Sequence, residues 1–240
     1  MQQNKEIQKL LTKESYSFED LAAIMRILRS EEGCPWDREQ DHHSIRTCLI
    51  EETYEVAEAI DNEDSVLLRE ELGDLMFQIM FHAQIEAEAT RFSVDEVIDD
   101  ICKKMIHRHP HVFGTVEVEN SGEVLANWET IKTEEKQRNT LVEKLRAIPP
   151  MMPALMRAAK VGKKAGVEND SSPAALLDKL SGDIDRFKAA LTSENADIKS
   201  NIGVLLMHMT DLSRSLGVDP EHALYCETER LIEEVETKRV

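Results

Sequence analysis

The sequence predicts an all-α protein, and three observations support that prediction. Apolar residues recur at the helical period through most of the chain, and no segment alternates apolar and polar residues as a half-buried strand does. Aromatic residues make up 5% of the 240 residues and there are nine glycines, a composition that suits helices better than sheets. Prolines 149, 150 and 153 interrupt the helical pattern and predict a boundary between two parts of the chain.

Four helices are predicted in the first half of the chain. Three of them, each with apolar residues at i, i+3, i+4 and i+7, cover 20–30, 45–60 and 66–89. Ser93 followed by Glu96 has the spacing of a capping box and predicts a fourth helix that runs to about His107. Because Pro110 cannot continue that helix, the segment HPHVFG is predicted to be a turn.

The second half of the chain repeats the first half at a nearly constant offset. Three segments, 23–26, 51–56 and 71–75, match 154–157, 182–187 and 201–205 at offsets of 131, 131 and 130 residues. This constancy predicts an internal duplication, with one domain over 1–147 and a second over 148–240. Apolar positions persist in the second copy, whereas most of the carboxylates of the first copy do not.

Four carboxylates in the first copy are spaced so that they could meet on facing helices. Glu52 and Glu55 are three residues apart, as are Glu71 and Asp74, so each pair lies about 60° apart on one helical face. Like charges at that spacing repel each other, and Arg69 is the only basic residue in the segment from 51 to 74. Two antiparallel helices would bring both pairs together, which predicts a site for a hard divalent cation, Mg²⁺ or Mn²⁺.

Two other interpretations of these carboxylates stay open. One is an exposed, salt-bridged helix pair, which the shortage of basic partners disfavours. The other is the di-metal site of an oxidoreductase, in which a histidine follows a glutamate by three residues. Here Glu58 follows Glu55 by three residues, and Phe77 follows Asp74, so the donor set favours Mg²⁺ over iron.

Together with three further motifs, the carboxylates resemble the MazG nucleoside triphosphate pyrophosphohydrolases, an all-α family. The family pattern is E-x-x-E, fifteen residues, then E-x-x-D, as it stands here. The other matching motifs are GCPWD at 33–37, RHPHVF at 108–113 and W-x-x-I-K at 128–132. The resemblance covers essentially the whole chain and implies two tandem MazG-like helical bundles assembled as a homodimer.

The resemblance also implies a site, a cofactor and a reaction. The residues that it implies as Mg²⁺ ligands are Glu52, Glu55, Glu71 and Asp74. The residues that it implies as substrate-binding are Lys104, Arg108, Trp128 and Lys132. The implied reaction is Mg²⁺-dependent hydrolysis of a nucleoside triphosphate between its α and β phosphates, which yields a nucleoside monophosphate and pyrophosphate. Glu51, next to these ligands, is the candidate base that takes the proton of the attacking water.

The second copy departs from this pattern at its metal positions. The counterparts of Glu52, Glu55, Glu71 and Asp74 are Asp183, Arg186, Asn201 and Val204. The counterpart of GCPWD, residues 166–170, contains no tryptophan. We therefore expect 148–240 to bind no catalytic Mg²⁺ and to have a structural or dimerisation role.

The net charge and the cysteine content indicate which binding partners and which cellular compartment to expect. A net charge of −18 argues against DNA, RNA or an anionic membrane as a partner. The four cysteines form no C-x-x-C pair and are typical of reduced thiols in a cytosolic protein. We therefore expect a cytoplasmic protein. The main alternative to an enzyme is a non-catalytic, metal-binding, dimeric scaffold or regulator, which would release no pyrophosphate from a nucleoside triphosphate.

Overall fold

The computed structural model describes residues 2–135, 140–166, 171–192 and 197–238. Every regular element in these residues is a helix, which confirms the all-α prediction. None of the helices in this part of the chain combines the length and the hydrophobicity that a membrane span needs. The chain divides into two compact units, residues 1–128 and 129–240. The domains predicted at 1–147 and 148–240 stay a prediction.

Seven described helices and the start of an eighth belong to the first unit. They are α1 (Gln2–Leu11), α2 (Phe18–Leu28), α3 (Pro35–Glu39), α4 (Arg46–Asp61), α5 (Ser65–Glu88), α6 (Val94–Arg108), α7 (Pro110–Phe113) and α8 (Ser121–Glu135), which crosses the boundary between the units. Three of them, α2, α4 and α5, lie where the apolar spacing predicts helices. The spacing therefore located the elements that build most of this unit.

The helix α6 begins with the predicted capping box. The Ser93 hydroxyl accepts a hydrogen bond from the Glu96 N–H, and the Glu96 carboxylate accepts one from the Ser93 N–H at 2.8 Å. The prediction of a turn over HPHVFG is wrong, because Pro110 begins the short helix α7. Proline cannot continue α6, but it fits the first position of a new helix, where no N–H partner is needed.

The core of the first unit lies where α2 crosses α5. Met25, Ile45, Met80 and Phe81 form a buried cluster, and Leu21, Phe77, Ile85 and Val94 pack around it. Burial of one such large apolar side chain contributes about 1.5–3 kcal/mol. This cluster fixes the part of α5 that follows the acidic segment, and α4 packs beside α5 along the same helix.

A buried arginine joins α2, α3 and α5. The guanidinium of Arg29 donates two hydrogen bonds to the carboxylate of Glu88, at 2.9 and 2.8 Å. It also donates to the backbone carbonyls of Asp37 and Gln40 and lies 5.1 Å from the centre of the Phe81 ring. One side chain therefore holds the segment after GCPWD against the ends of two long helices.

The GCPWD segment turns tightly against the end of α2. A Cβ atom at Gly33 would lie 2.2 Å from the carbonyl oxygen of Ile27, so no larger residue fits this turn. The N–H of Cys34 donates to the carbonyl of Leu28 at 2.7 Å, and Pro35 begins α3. Trp36 projects from this turn with 59% of its surface exposed.

The second unit contains the rest of α8 and five further described helices. They are α9 (Leu141–Arg146), α10 (Ala154–Ala165), α11 (Pro173–Ala190), α12 (Ile198–Ser215) and α13 (Pro220–Thr237). The three prolines at 149–153 separate α9 from α10. Helix α12 packs on both α11 and α10, and a Cβ at Gly162 would lie 2.8 Å from a carboxylate oxygen of Asp211. Most of the GCPWD counterpart, 167–170, lies outside the described residues.

Candidate metal centre

A short connection makes α4 and α5 an antiparallel pair. Helix α4 ends at Asp61 and α5 begins at Ser65. Glu63 adopts the left-handed backbone conformation, with φ of 53°. The carboxylate of Asp64 caps α5 by accepting hydrogen bonds from the N–H groups of Val66 and Leu67, at 2.9 and 3.0 Å. The two helices then pack closely, which brings their acidic segments face to face.

Three of the predicted metal ligands converge between these helices. Carboxylate oxygens of Glu52, Glu55 and Glu71 all lie within 4.8 Å of one another. Asp74 stands outside this group of three, but its charge raises the pKa of both Glu52 and Glu71. The fourth predicted ligand is therefore close to the cluster. The metal-binding role of the four residues stays a prediction.

The carboxylates of the cluster repel one another, because no nearby positive charge balances them within the described residues. Burial raises the pKa of Glu52, and the hydrogen bond and the charge of Glu55 raise it further. Burial and the charges of Glu55 and Asp74 likewise raise the pKa of Glu71. Within the described residues no lysine or arginine forms an ion pair with these carboxylates. A cation bound between them would remove the repulsion.

The donor set fits a hard divalent cation. Two ligands on opposite sides of Mg²⁺ lie about 4.2 Å apart, which is twice the Mg–O distance. Oxygens that already lie within 4.8 Å of one another need little movement to reach that separation. All three donors are carboxylate oxygens, as Mg²⁺ and Mn²⁺ prefer, and the cluster contains no imidazole of the kind found in di-iron bundles.

The predicted triphosphate-binding residues lie on α6 and α8. Arg108 is 6% exposed, and its guanidinium lies 5.6 Å from the centre of the Trp128 ring. Lys104 is exposed one turn earlier on α6, on the same helical face. The structure therefore brings Arg108 and Trp128 together within the first unit.

Two further predicted residues lie apart from these contacts. Lys132 belongs to the second unit and pairs with Glu129 at 2.8 Å, so its place at the site stays a prediction. Glu51 is exposed on α4, beside Glu52 in sequence. Its role as a base also stays a prediction.

Sequence reasoning missed a second polar cluster further along α5. His42 stacks on His82, with ring centres 5.0 Å apart and Nδ1 atoms 2.7 Å apart, and it also contacts the carboxylate of Glu86. Arg91 bonds the same carboxylate, and these two partners lower the pKa of Glu86 to about 2. His42 and His82 are forty residues apart, so no periodic spacing in the sequence could have linked them.

The comparison with known proteins decides the family. Residues 40–113 match the profile described as the MazG nucleotide pyrophosphohydrolase domain. The chain is 43% identical over 210 residues to the nucleoside triphosphate pyrophosphohydrolase of Escherichia coli strain K12, covering 85% of this chain and 80% of that protein. The chain belongs to the MazG family. The resemblance that the motifs carry is thereby confirmed.

Other MazG relatives are similar over most of this chain. The Thermotoga maritima protein named nucleoside triphosphate pyrophosphohydrolase/pyrophosphatase MazG is 39% identical over 218 residues, which cover 90% of this chain and 83% of that protein. The Mycobacterium tuberculosis nucleoside triphosphate pyrophosphohydrolase is 34% identical over 197 residues, covering 81% of this chain and 56% of that protein. The MazG profile match at 40–113 lies inside the first unit and spans the acidic cluster together with Lys104 and Arg108.

Proposed function

We propose that this MazG protein hydrolyses nucleoside triphosphates to a nucleoside monophosphate and pyrophosphate, with Mg²⁺ as its cofactor and Mn²⁺ as a substitute. The observation that carries the proposal is the convergence of three carboxylates on α4 and α5 with no basic partner among the described residues. The names of the E. coli and T. maritima relatives support the substrate class. Glu52, Glu55, Glu71 and Asp74 would hold the cation.

The charge of the substrate explains why a cation is needed. A triphosphate carries about four negative charges, and a protein of net charge −18 repels it. A divalent cation in the cluster would offset the carboxylates, polarise the phosphoryl oxygens and lower the pKa of a bound water. Lys104 and Arg108 would add positive charge around the triphosphate, and the same role for Lys132 stays a prediction from the sequence. The contact of Arg108 with the Trp128 ring supports this role, because it orients the guanidinium.

The proposed reaction consumes one water molecule. Water adds across the bond between the α and β phosphates, so that one phosphoryl group gains a hydroxyl and the other leaves with the bridging oxygen. Glu51, which is exposed on α4 and next to Glu52 in sequence, would take the proton of the water. The exclusion of nucleic acid as a partner rests on the net charge of −18. The cytoplasmic location is supported by the four free thiols.

The experiment that tests the proposal is pyrophosphate release from a panel of canonical and base-modified nucleoside triphosphates. With Mg²⁺ or Mn²⁺ we expect nucleoside monophosphate and pyrophosphate in equal amounts, and no turnover with EDTA. Release of orthophosphate instead would place the cleavage at another bond. If the chain binds Mn²⁺ but releases pyrophosphate from no member of the panel, it is the non-catalytic scaffold or regulator.

We also propose that the chain forms a homodimer. Leu72, Met76 and Ile79 form a stripe along α5 and are 43–47% exposed in the single chain. On the opposite side of the same helix, Phe81 is buried in the core. A helix with apolar side chains on two sides normally has both sides covered. A second copy of this chain is the proposed cover, in keeping with the dimer that the family resemblance implies.

Light scattering on a sizing column tests this assembly. We expect the mass of a dimer for the wild-type chain and of a monomer for Leu72→Glu/Met76→Glu. The matched control is Arg69→Glu/Glu70→Lys, which changes exposed charged residues of the same helix and should leave the mass unchanged. A monomeric wild type would exclude the dimer, and the proposed reaction would still be decided by the release of pyrophosphate.

A further inference from the structure

The second helix pair, α11 and α12, brings the counterparts of the four metal positions to one cavity. Asp183 and Arg186 of α11 line it together with Ser200, Asn201 and Val204 of α12, around a volume of about 240 Å³. Four of these five residues are the ones that the repeat pairs with the carboxylates of the first copy. Their proximity is a property of the fold and does not depend on the sequence offset, so it supports the register of the repeat.

Asp183 is the one acidic residue in that lining, and its Oδ1 accepts no hydrogen bond from the described residues, so only the charge of a neighbouring side chain compensates that oxygen. Its side chain is 2% exposed. Arg186, one turn later on the same helix, forms an ion pair with Oδ1, and Nδ1 of His208 on α12 contacts Oδ2. A buried carboxylate without partners is strongly destabilising, so these two side chains make the buried charge tolerable.

The two helix pairs therefore balance their charge in opposite ways. The four positions on α4 and α5 are all acidic, and no lysine or arginine of the described residues pairs with them. The same positions on α11 and α12 hold one carboxylate, one guanidinium, one amide and one valine, which sum to no net charge. A divalent cation there would meet the positive charge of Arg186 and a single carboxylate, so these residues do not fit the ion that the first pair fits.

We propose that Arg186 is a built-in counter-ion, which replaces in the second helix pair the divalent cation of the first. Arginine suits this role because its guanidinium is protonated at every physiological pH and is tethered one turn from Asp183. The second helix pair then neither requires a metal ion nor admits one. The comparison with the first pair rests on the metal site of the proposed function.

A mutant cycle in metal-free buffer tests the counter-ion. We expect Arg186→Met to lower the midpoint of thermal unfolding by roughly 2–4 °C. The same change should have little effect in an Asp183→Asn background, because the charge that it balances is gone. The matched control is Arg230→Met, which removes an arginine from exposed pairs with Glu227, at the same i, i+3 spacing, and with Glu234. If Arg186→Met matches this control, or costs as much in the Asp183→Asn background, the counter-ion role is wrong.

Mn²⁺ binding, followed by the loss of the free-ion electron paramagnetic resonance signal, tests the exclusion of metal. In a Glu52→Gln/Glu71→Gln background we expect no binding. Adding Arg186→Glu/Asn201→Glu/Val204→Asp should create a new site, whereas the neutral control Arg186→Gln/Asn201→Gln/Val204→Asn should not. Mn²⁺ binding that survives in the background variant and disappears with Asp183→Asn would overturn the proposal, as would the failure of a folded acidic variant to gain a site.

The two proposals can fail separately. If the wild-type chain binds no Mn²⁺, the metal site of the proposed function is wrong. The unfolding cycle then still decides the role of Arg186, because it is carried out without metal.

Discussion

The helix pairs α4–α5 and α11–α12 occupy corresponding places in the predicted repeat but differ in their polar content. The first gathers carboxylates that pair with no lysine or arginine in the described part of the chain, and the second places Asp183 between an arginine and a histidine. Both pairs nevertheless pack closely along their lengths. The packing of such a pair therefore does not depend on which residues stand at these four positions.

The buried positions of the two pairs correspond as well. Met80 and Phe81 of α5 are buried, and so are Thr210 and Asp211, which stand 130 residues later on α12. The Thr210 hydroxyl donates to the carbonyl of Leu206, and Oδ1 of Asp211 pairs with Arg214, whereas Oδ2 of Asp211 accepts no hydrogen bond from the described residues. Thr210 and Asp211 thus have partners on neighbouring turns of their own helix, as Asp183 has in Arg186 on α11.

The largest effect that would distinguish the two pairs is on turnover. We expect Glu52→Gln or Asp74→Asn to reduce the rate of pyrophosphate release by about a thousandfold. The loss of a ligand weakens the binding of an ion that supplies several kcal/mol of transition-state stabilisation. Asp183→Asn, the matched change in the second pair, should leave turnover at the wild-type rate. Loss of turnover in a folded Asp183→Asn variant would contradict the assignment of a single type of site.

A second difference should appear in the stability that metal confers. At Mg²⁺ a hundredfold above its dissociation constant, the free energy of unfolding should rise by about 2.7 kcal/mol. Trp36 and Trp128 are the two tryptophans of the chain and both lie in the first unit, so urea unfolding followed by tryptophan fluorescence reports on that unit. Glu52→Gln/Glu71→Gln should abolish the rise. A rise that persists in this variant would place the stabilising ion elsewhere.

A smaller difference is expected in the pH dependence of the metal-free chain. The pKa values of Glu52 and Glu71 are raised in the fold, so the folded chain binds more protons than the unfolded chain just above the usual glutamate range. Stability from these groups should therefore fall as the pH rises from about 5 to 7. The measurement is the midpoint of urea unfolding in the presence of EDTA at several pH values across that range. The midpoint of the Glu52→Gln/Glu71→Gln variant is subtracted from that of the wild type at each pH.

Other carboxylates do not obscure that measurement. The pKa values of Asp20 and Glu86 are lowered to about 2, so their contributions to stability are lost only in more acidic solution. A difference that grows with rising pH would show that the acidic cluster is not under repulsion in solution.

The smallest predicted effects concern the helix caps, which both units share. Ser93 caps α6 in the first unit and Thr140 caps α9 in the second, each in a complete capping box. We expect Ser93→Ala and Thr140→Ala each to cost about 1 kcal/mol in urea unfolding followed by circular dichroism. Turnover should be unchanged in both, because Lys104 and Arg108 lie at the other end of α6. A large loss of turnover in Ser93→Ala alone would show that the start of α6 belongs to the site.

Local spacing was enough to predict the long helices of the first unit and the convergence of the carboxylates. The period of apolar residues located α2, α4 and α5, and two E-x-x-E-like pairs joined by a short connection implied the cluster of Glu52, Glu55 and Glu71. The cap at Ser93 was predictable for the same reason, because its partners are three residues apart. Each of these features depends on contacts within a helix or between neighbours in sequence.

Features that depend on distant contacts were not predictable. The stacking of His42 on His82 requires two segments forty residues apart, and no local pattern encodes that meeting. Leu72, Met76 and Ile79 fall within the apolar pattern that predicts α5 and yet are exposed in the single chain, since periodicity does not show which neighbour covers an apolar residue.

The short helix after Pro110 is a local feature that was nevertheless missed, because the same residue that ends one helix can begin the next.

The anchoring of the GCPWD segment by Arg29 has a consequence for Trp36. The carbonyls of Asp37 and Gln40, just beyond this tryptophan, are tied to the guanidinium, while the indole itself projects outward. The backbone beneath the ring is therefore already ordered before anything touches it. A molecule that settles against this indole loses little affinity to the immobilisation of a loop, so the aromatic surface is presented ready for contact.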